Sequence, residues 1–425
     1  MRSLGPFLLL AACGGDSYRL ETDAGASGDD AGGGPDGLAE ADPLYDPQAF
    51  PTFDLEIPDA SRQALFDDPR SYQPATFTFE GVSYEVGLRL KGWASMRALD
   101  EKAAFKIKFD EYVDGQRFFG LRRLTLNNMV QDPSMVHERI GYWFWREAGL
   151  TASRCNSARV NVNGEYWGVY ANLETIDDEF AQNRFRSAPG NLYDILDYFV
   201  DVVPGSESGY ELETNQLAPD TSDLTALIDA ANQPAFVPDV EAMLDLDAAL
   251  TVAAAAAIVS DWDGYFGARN NYKLYHELDR DRFLVLPYGI DQTFSDVAYD
   301  VYGSDSNRVN GHLFARCKSD PACLARYEAA LESALAVWES LPLIEEMDRV
   351  WSQIQASAYE DPRKEASDGD MDAAVDRMRA FLGQRGAEVR AQLDGPLPEL
   401  CENGVDDDGN GDVDCDDREC EGVCP

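Results

Sequence analysis

Two runs of alternating apolar and polar side chains, 76–80 and 83–90, are separated at Gly81. Period-two alternation marks a strand with one buried face, and a glycine between two such runs predicts a hairpin. Ala104 to Phe109 continues the pattern, with Phe105, Ile107 and Phe109 on one face and Lys106 and Lys108 on the other. Pro133-Ser134 opens a helix through Trp143, Phe144 and Trp145, aromatics that read as core, and Gly149 stops it. Residues 159–163 and 165–173 flank Asn163-Gly164, a pair suited to a type I′ turn. Beyond about residue 220 the pattern is mainly helical, interrupted by strand signals at 271–276 and 282–287. Early strands followed by late helices predict an α+β fold.

Composition excludes several function classes. Apolar residues make up 44% of the 425, enough for a real core, so wholesale disorder is excluded. Thirty-five basic against 78 acidic residues leave a net charge of -43, a field that repels nucleic acid and anionic lipid headgroups. Only three histidines are present, which disfavours a His-rich metal site.

The first residues suggest export. An apolar run from Leu4 to Ala12 ends in Leu10-Ala11-Ala12-Cys13, which resembles a bacterial lipobox with Cys13 as the lipidated residue. Residues 1–12 would then be a lipoprotein signal peptide and 13–48 a flexible Gly/Ala/Asp linker. The main domain is expected over 49–395 and a Cys/Asp-rich tail over 396–425. No stretch reaches the roughly 20 apolar residues of a membrane span, so membrane contact is expected through the lipid only. Cys317 and Cys323, close in sequence, and Cys401, Cys415, Cys420 and Cys424, crowded in the tail, are disulfide candidates suited to an oxidising compartment. Cys155 is left over as a buried thiol. The expected location is the cell envelope or outside it; Gly14 after Cys13 leans toward the outer membrane.

Several blocks follow one another in a telling order: Leu88-Arg-Leu-Lys-Gly92, Lys102 to Phe109, Leu124-Thr-Leu-Asn-Asn128, Asp132-Pro-Ser134, Ala148-Gly-Leu150, Val162 to Tyr170 and Glu174. Then come Asp261-Trp-Asp-Gly264, Asn270 to Tyr275 and Leu286 to Phe294. Their ordered succession resembles the CotH family of atypical, spore-coat-type protein kinases. The resemblance implies an atypical protein-kinase-like α+β fold, strand-rich first and mainly helical later. It also implies ATP with Mg or Mn as cofactor and a protein Ser/Thr acceptor.

Phosphoryl transfer needs cations on the phosphates, a metal held by carboxylate or amide oxygens, and a carboxylate that orients the attacking hydroxyl. Asp291 follows the apolar run Phe283 to Leu286, where a carboxylate can face a cleft as a Mg ligand. Asp261 and Asp263 lie past an Ala-rich helix, whose C-terminal end disfavours carboxylates, so a role other than helix stability is expected. By resemblance Asp263 is the catalytic aspartate and Asn271, or Asn270, the metal-binding amide. Two departures stand: the two lie eight positions apart, and Gly289 replaces an acid frequent in the family. For gripping ATP, Lys106 points away from its apolar neighbours, whereas Lys102 matches the family's lysine before the strand; both stay open. Glu174 is the candidate partner of that lysine, with Arg89 and Lys91 adding charge at the same mouth.

In the tail, Asp406, Asp408 and Asn410 occupy positions 1, 3 and 5 of an EF-hand-like loop, with Gly411 at position 6 and Asp414 at position 9. Asp417 stands at position 12, where a Glu is usual, and Asp412 adds a further acid, so Ca is the expected ion. Two other readings remain: a non-catalytic kinase-like surface or adhesion protein, and a calcium-dependent carbohydrate or matrix binder.

Overall fold

The computed structural model describes residues 36–185, 190–303 and 310–395, and in the tail 397, 399, 404–407, 411–417 and 420. Cys13, Asp408, Asn410, Cys401 and Cys424 lie outside the described residues. Helix α1 (Asp36–Tyr45) precedes β1 (Thr52–Glu56) and α2 (Asp59–Asp67). β2 (Gln73–Phe79) and β3 (Val82–Lys91) form the expected hairpin, with Gly81 at φ 81°. β4 (Ala104–Lys108) and β5 (Arg123–Asn127) follow, then α3 (His137–Glu147), then β6 (Cys155–Val162) and β7 (Glu165–Glu174). Asn163 and Gly164 both take positive φ, as a type I′ turn demands.

These strands close a barrel in the order β1-β2-β3-β4-β5-β7-β6, all pairs antiparallel except β1 with β6, which seals it. The inward positions carry large apolar side chains: Phe53, Phe77, Leu88, Phe105, Ile107, Leu124 and Val160 share one core. Phe77 and Phe118 meet edge to face at 4.9 Å.

The later half begins with α4 (Asp178–Gln182), β8 (Leu192–Ile195) and β9 (Tyr210–Leu212), then α5 (Ser222–Ala231), α6 (Phe236–Val240) and α7 (Leu246–Ile258). β10 (Tyr272–Glu277) and β11 (Arg282–Pro287) join the earlier pair in a sheet ordered β11-β10-β8-β9. Helices α8 (His312–Lys318), α9 (Pro321–Ser340), α10 (Leu343–Glu360) and α11 (Asp368–Asp394) complete it. α7 is buried almost throughout, because its alanines let neighbouring helices approach closely. Its C-terminal carbonyls are met by Arg385 of α11, fully buried, which donates to Ile258 O at 3.0 Å, Ala257 O at 2.8 Å and Val297 O at 2.7 Å. A cation there satisfies both the orphan carbonyls and the negative end of the helix dipole.

The stretch expected to be an unstructured linker over 13–48 ends instead in α1. Ala41, Leu44 and Tyr45, spaced three and four apart, are buried against the barrel, so the folded body starts earlier than the Gly/Ala composition suggests. Cys317 and Cys323 form a disulfide with Cα atoms 5.1 Å apart, across the stop of α8 and the Asp320-capped start of α9. Cys155 is free and buried, and Cys415 and Cys420 are each disulfide-bonded. Among the described residues no helix is long and apolar enough to cross a membrane.

Barrel and helical half are joined by a buried ion pair. Lys102 Nζ stands 2.6 Å from Asp361 Oδ2, with side chains 1% and 0% exposed. Gly168, at φ 129°, makes room for it, since a Cβ there would lie 2.0 Å from Asp361 Oδ2. Burial pushes the Lys102 ammonium below the ordinary lysine range, and Asp361 works against that shift. Lys102→Met should destabilise the protein by about 3–5 kcal/mol, because it strands a buried carboxylate; urea unfolding checks this, and a change within error would mean that the pair contributes nothing to stability.

Candidate functional site

Where barrel and helical half meet lies a cavity of about 100 Å3. Barrel strands supply Lys91, Lys106, Asn127 and Glu174 to its wall, α3 supplies Glu138 and Tyr142, and the second sheet supplies Asp194 and Lys273. The segment after β11 contributes Tyr288, Gly289 and Asp291.

α3 holds that segment from one side. Its N-terminus is set by Asp132, whose carboxylate accepts from Ser134 N at 2.9 Å and His137 N at 2.8 Å. The His137 ring meets Asp291 O at 2.9 Å, and Gly289 N donates to the Tyr142 hydroxyl at 3.1 Å. Gly141 has a specific reason to be glycine: a Cβ would come within 2.6 Å of Ile290 Cδ1. From the other side, Phe294 N donates to Val259 O at the end of α7 (2.7 Å), and Tyr288 N to Asn271 O (3.0 Å).

Asp263 lies in the turn after α7. Asn271 Nδ2 donates to Asp263 Oδ2 at 2.8 Å and Asn270 Nδ2 to Asp263 Oδ1 at 3.2 Å, while Asn271 also reaches Gly289 O at 3.1 Å. The eight-residue separation is bridged by a bulge with Arg269 and Asn271 at positive φ, which brings both amides back to the aspartate. Gly289 answers the second departure: a Cβ there would sit 2.8 Å from Asn271 Cγ, so the absent acid leaves space that Asn271 fills. Asp291 lines the cavity; Asp263, Asn270 and Asn271 do not, and Asn271 is tied to the wall through Gly289.

The acids crowd one another. Burial, followed by Asp291, pushes Glu138 up to about 8. Burial raises Asp263 to about 8, with Asp261 and Asp291 adding repulsion, and raises Asp261 to about 7. Asp291 is raised by burial and by Asp132, with Lys91 opposing. Four buried oxygens here have no hydrogen-bond donor: Glu138 Oε1, Asp291 Oδ1, Asn270 Oδ1 and Asn271 Oδ1. Buried acceptors without donors are costly unless a cation or water meets them, so the donor set fits a divalent ion of oxygen preference.

The candidate lysines separate. Lys106 lines the cavity, whereas Lys102 is committed to Asp361 outside it. Lys91 is in the wall and donates to Asn127 Oδ1 at 3.1 Å. Arg89 is buried away from the wall, its guanidinium over the Tyr72 ring at 5.3 Å. Glu174 lines the cavity but pairs with arginines instead of a lysine: Arg154 Nη2 at 2.9 Å and Arg184 Nη2 at 2.7 Å. Burial opposes its charge, and Arg184 and Arg154 overcome that to hold it below the ordinary range.

Sequence reasoning missed a cavity cation, Lys273, which lies 2.6 Å from both Asp194 Oδ2 and Glu213 Oε2. Burial disfavours its charge, yet the two carboxylates raise it above the usual lysine range. A lysine among Tyr272, Leu274 and Tyr275 in a wholly buried strand was the signal. Arg385 and Glu138 left no such trace in the sequence.

Residues 88–389 match the CotH kinase protein family. The chain belongs to that family. Among CotH relatives, inner spore coat protein H of Bacillus subtilis is 24% identical over 370 residues, covering 83% of this chain and 97% of that protein. Invasin CotH3 of Rhizopus delemar is 22% identical over 272 residues, 59% of this chain and 45% of that protein. The Helicobacter pylori proinflammatory kinase CtkA, a solved structure, is matched over 72% of this chain and 92% of its own at 9% identity, with a TM-score of 0.25.

A raised carboxyl keeps a proton that the unfolded chain, near the free Asp value of about 3.9, has released. The folded state therefore binds more protons, and its stability falls as pH rises from about 4 towards about 8. In chelator-containing buffer Asp263→Asn should flatten that slope, read as urea midpoints across the range; a slope equal to wild type would show Asp263 ionised throughout.

Proposed function

We propose that the protein is a metal-dependent, ATP-using protein kinase of the CotH family, acting on Ser/Thr of a protein acceptor at the cell envelope or outside the cell. The observation that carries this reading is the set of donor-free buried oxygens on Asp291, Asn270 and Asn271 beside a cavity walled by Lys91, Lys106 and Lys273. A bound Mg or Mn would neutralise charge on the triphosphate; Asp291 and the Asn271 or Asn270 amide are the groups assigned to hold it. Lys106 and Lys91 are assigned to the ATP phosphates. Asp263 is assigned the proton of the acceptor hydroxyl as that oxygen bonds to the γ-phosphorus and the bond to the ADP oxygen breaks. Its two hydrogen bonds already turn both Asn oxygens away from itself, so it also orients the amides.

Envelope location rests on the lipobox-like Cys13, on the disulfides, and on relatives named as a spore coat protein and an invasin. A second reading, a kinase-like scaffold without catalysis, is favoured by one arrangement: Glu174 is taken by Arg154 and Arg184, so the lysine–glutamate pair of ordinary kinases is not formed through it. Thermal shift and transfer assays separate the two. Wild type should be stabilised by ATP with Mn, Asp291→Ala should lose that shift, and Asp263→Asn should keep it yet lose transfer to a casein-like acceptor by about 100-fold or more. Binding that persists in Asp291→Ala removes the metal assignment, and no nucleotide shift in wild type leaves the scaffold reading.

For the tail we infer calcium. Gly411, at φ 101°, donates from N to Asp406 Oδ2 at 3.0 Å, and Asp406 Oδ1 is buried without a donor. The buried Glu399 accepts from Asp407 N at 2.9 Å and Asp414 N at 2.6 Å, tying the loop to the segment before it. A segment this small needs staples or a metal to be ordered. Chelation should expose the tail to protease while the domain before it stays intact; an unchanged cleavage pattern removes calcium from the tail.

A further inference from the structure

We propose that Glu138 is a direct ligand of the divalent ion, sharing it with Asp291 across the cavity. This rests on the metal-dependent reading above and adds to it a carboxylate from a different element. Glu138 Oε2 is engaged by Asn127 Nδ2 at 2.9 Å, which fixes the plane of the carboxyl, while Oε1 is buried and meets no donor. Asp291 Oδ1 is in the same condition, and both residues line the one cavity.

The backbone enforces this juxtaposition. Glu138 and Gly141 lie three positions apart on α3 and so share a face. Gly141 is where Ile290, the residue before Asp291, packs against the helix. His137 and Tyr142, on either side, hold Asp291 O and Gly289 N at 2.9 Å and 3.1 Å. A helix clamped to a loop at these three points carries Glu138 into the cavity that Asp291 also lines.

The neighbouring acids are otherwise employed. Asp132 spends its oxygens on Ser134 and His137, and Asp261 Oδ1 accepts from Gly264 N at 3.1 Å. Lys91, the cation that acts on both Glu138 and Asp291, gives its hydrogen bond to Asn127. Two carboxyl groups lining one cavity repel each other when ionised unless one keeps a proton or a cation lies between them, and an ion taking one or two carboxylates plus waters and phosphate oxygens meets both.

The test uses Mn as the probe on the full chain, with and without a non-hydrolysable ATP analogue, and reads bound Mn by electron paramagnetic resonance. Glu138→Gln keeps the Asn127 bond and should weaken Mn binding by about tenfold or more, with Glu138→Asp between it and wild type. Anomalous scattering from Mn-soaked wild-type crystals gives a readout that no variant's folding can blur: the ion should lie within coordination distance of Glu138 Oε1 and Asp291 Oδ1. Wild-type affinity in Glu138→Gln, or an ion on Asp291 but remote from Glu138, overturns this inference and leaves the metal-dependent reading standing. No Mn in the cavity under any condition overturns both.

Discussion

Charge inside a protein must be answered, and the seam between barrel and helical half is arranged around that requirement. Two buried ion systems there are complete: Lys102 with Asp361, and Lys273 with Asp194 and Glu213. Beside them the acids around Asp291 are incomplete, pushed upward in pKa by burial and by one another. Lys102 with Asp361 welds the halves together, Lys273 with its two carboxylates ties strands of the second sheet, and the open set is left for a cation to answer.

The rest of the architecture holds that open set in place. Arg385 secures the end of α7 and hence the turn carrying Asp261 and Asp263. α3 grips the Gly289–Asp291 segment through His137, Gly141 and Tyr142. Glycines appear at the points of closest approach: Gly168 admits Asp361, Gly141 admits Ile290, and Gly289 admits Asn271. None of these positions tolerates a Cβ without displacing a neighbour, which ties the backbone of the seam to the side chains that carry charge.

Much of the local structure was legible along the chain. The hairpin at Gly81, the turn at Asn163-Gly164, the helix after Ser134 and the strands near 272 and 282 lie where alternation and turn residues put them. The ordered motif blocks pointed to the family and to Asp263, Asn271 and Asp291 as neighbours, and the first two are hydrogen-bonded. Helix α1 was hidden by its Gly/Ala/Asp surroundings, since one short apolar face of Ala41, Leu44 and Tyr45 is too little to announce a helix.

Sequence by itself therefore determined the hairpins and the helix after Ser134, the family and the inventory of acids and bases, because period and turn chemistry are properties of neighbours in the chain. Tertiary structure decided the assignments. Lys102 and Lys106 lie four positions apart at one strand, yet one is sealed against Asp361 and the other faces the cavity. Glu174 found arginines from outside its strand, and Glu138 came to Asp291 from a helix more than a hundred residues earlier. Coulomb energy and desolvation depend on distance in space and on the surrounding medium, and neither quantity is written in the order of residues.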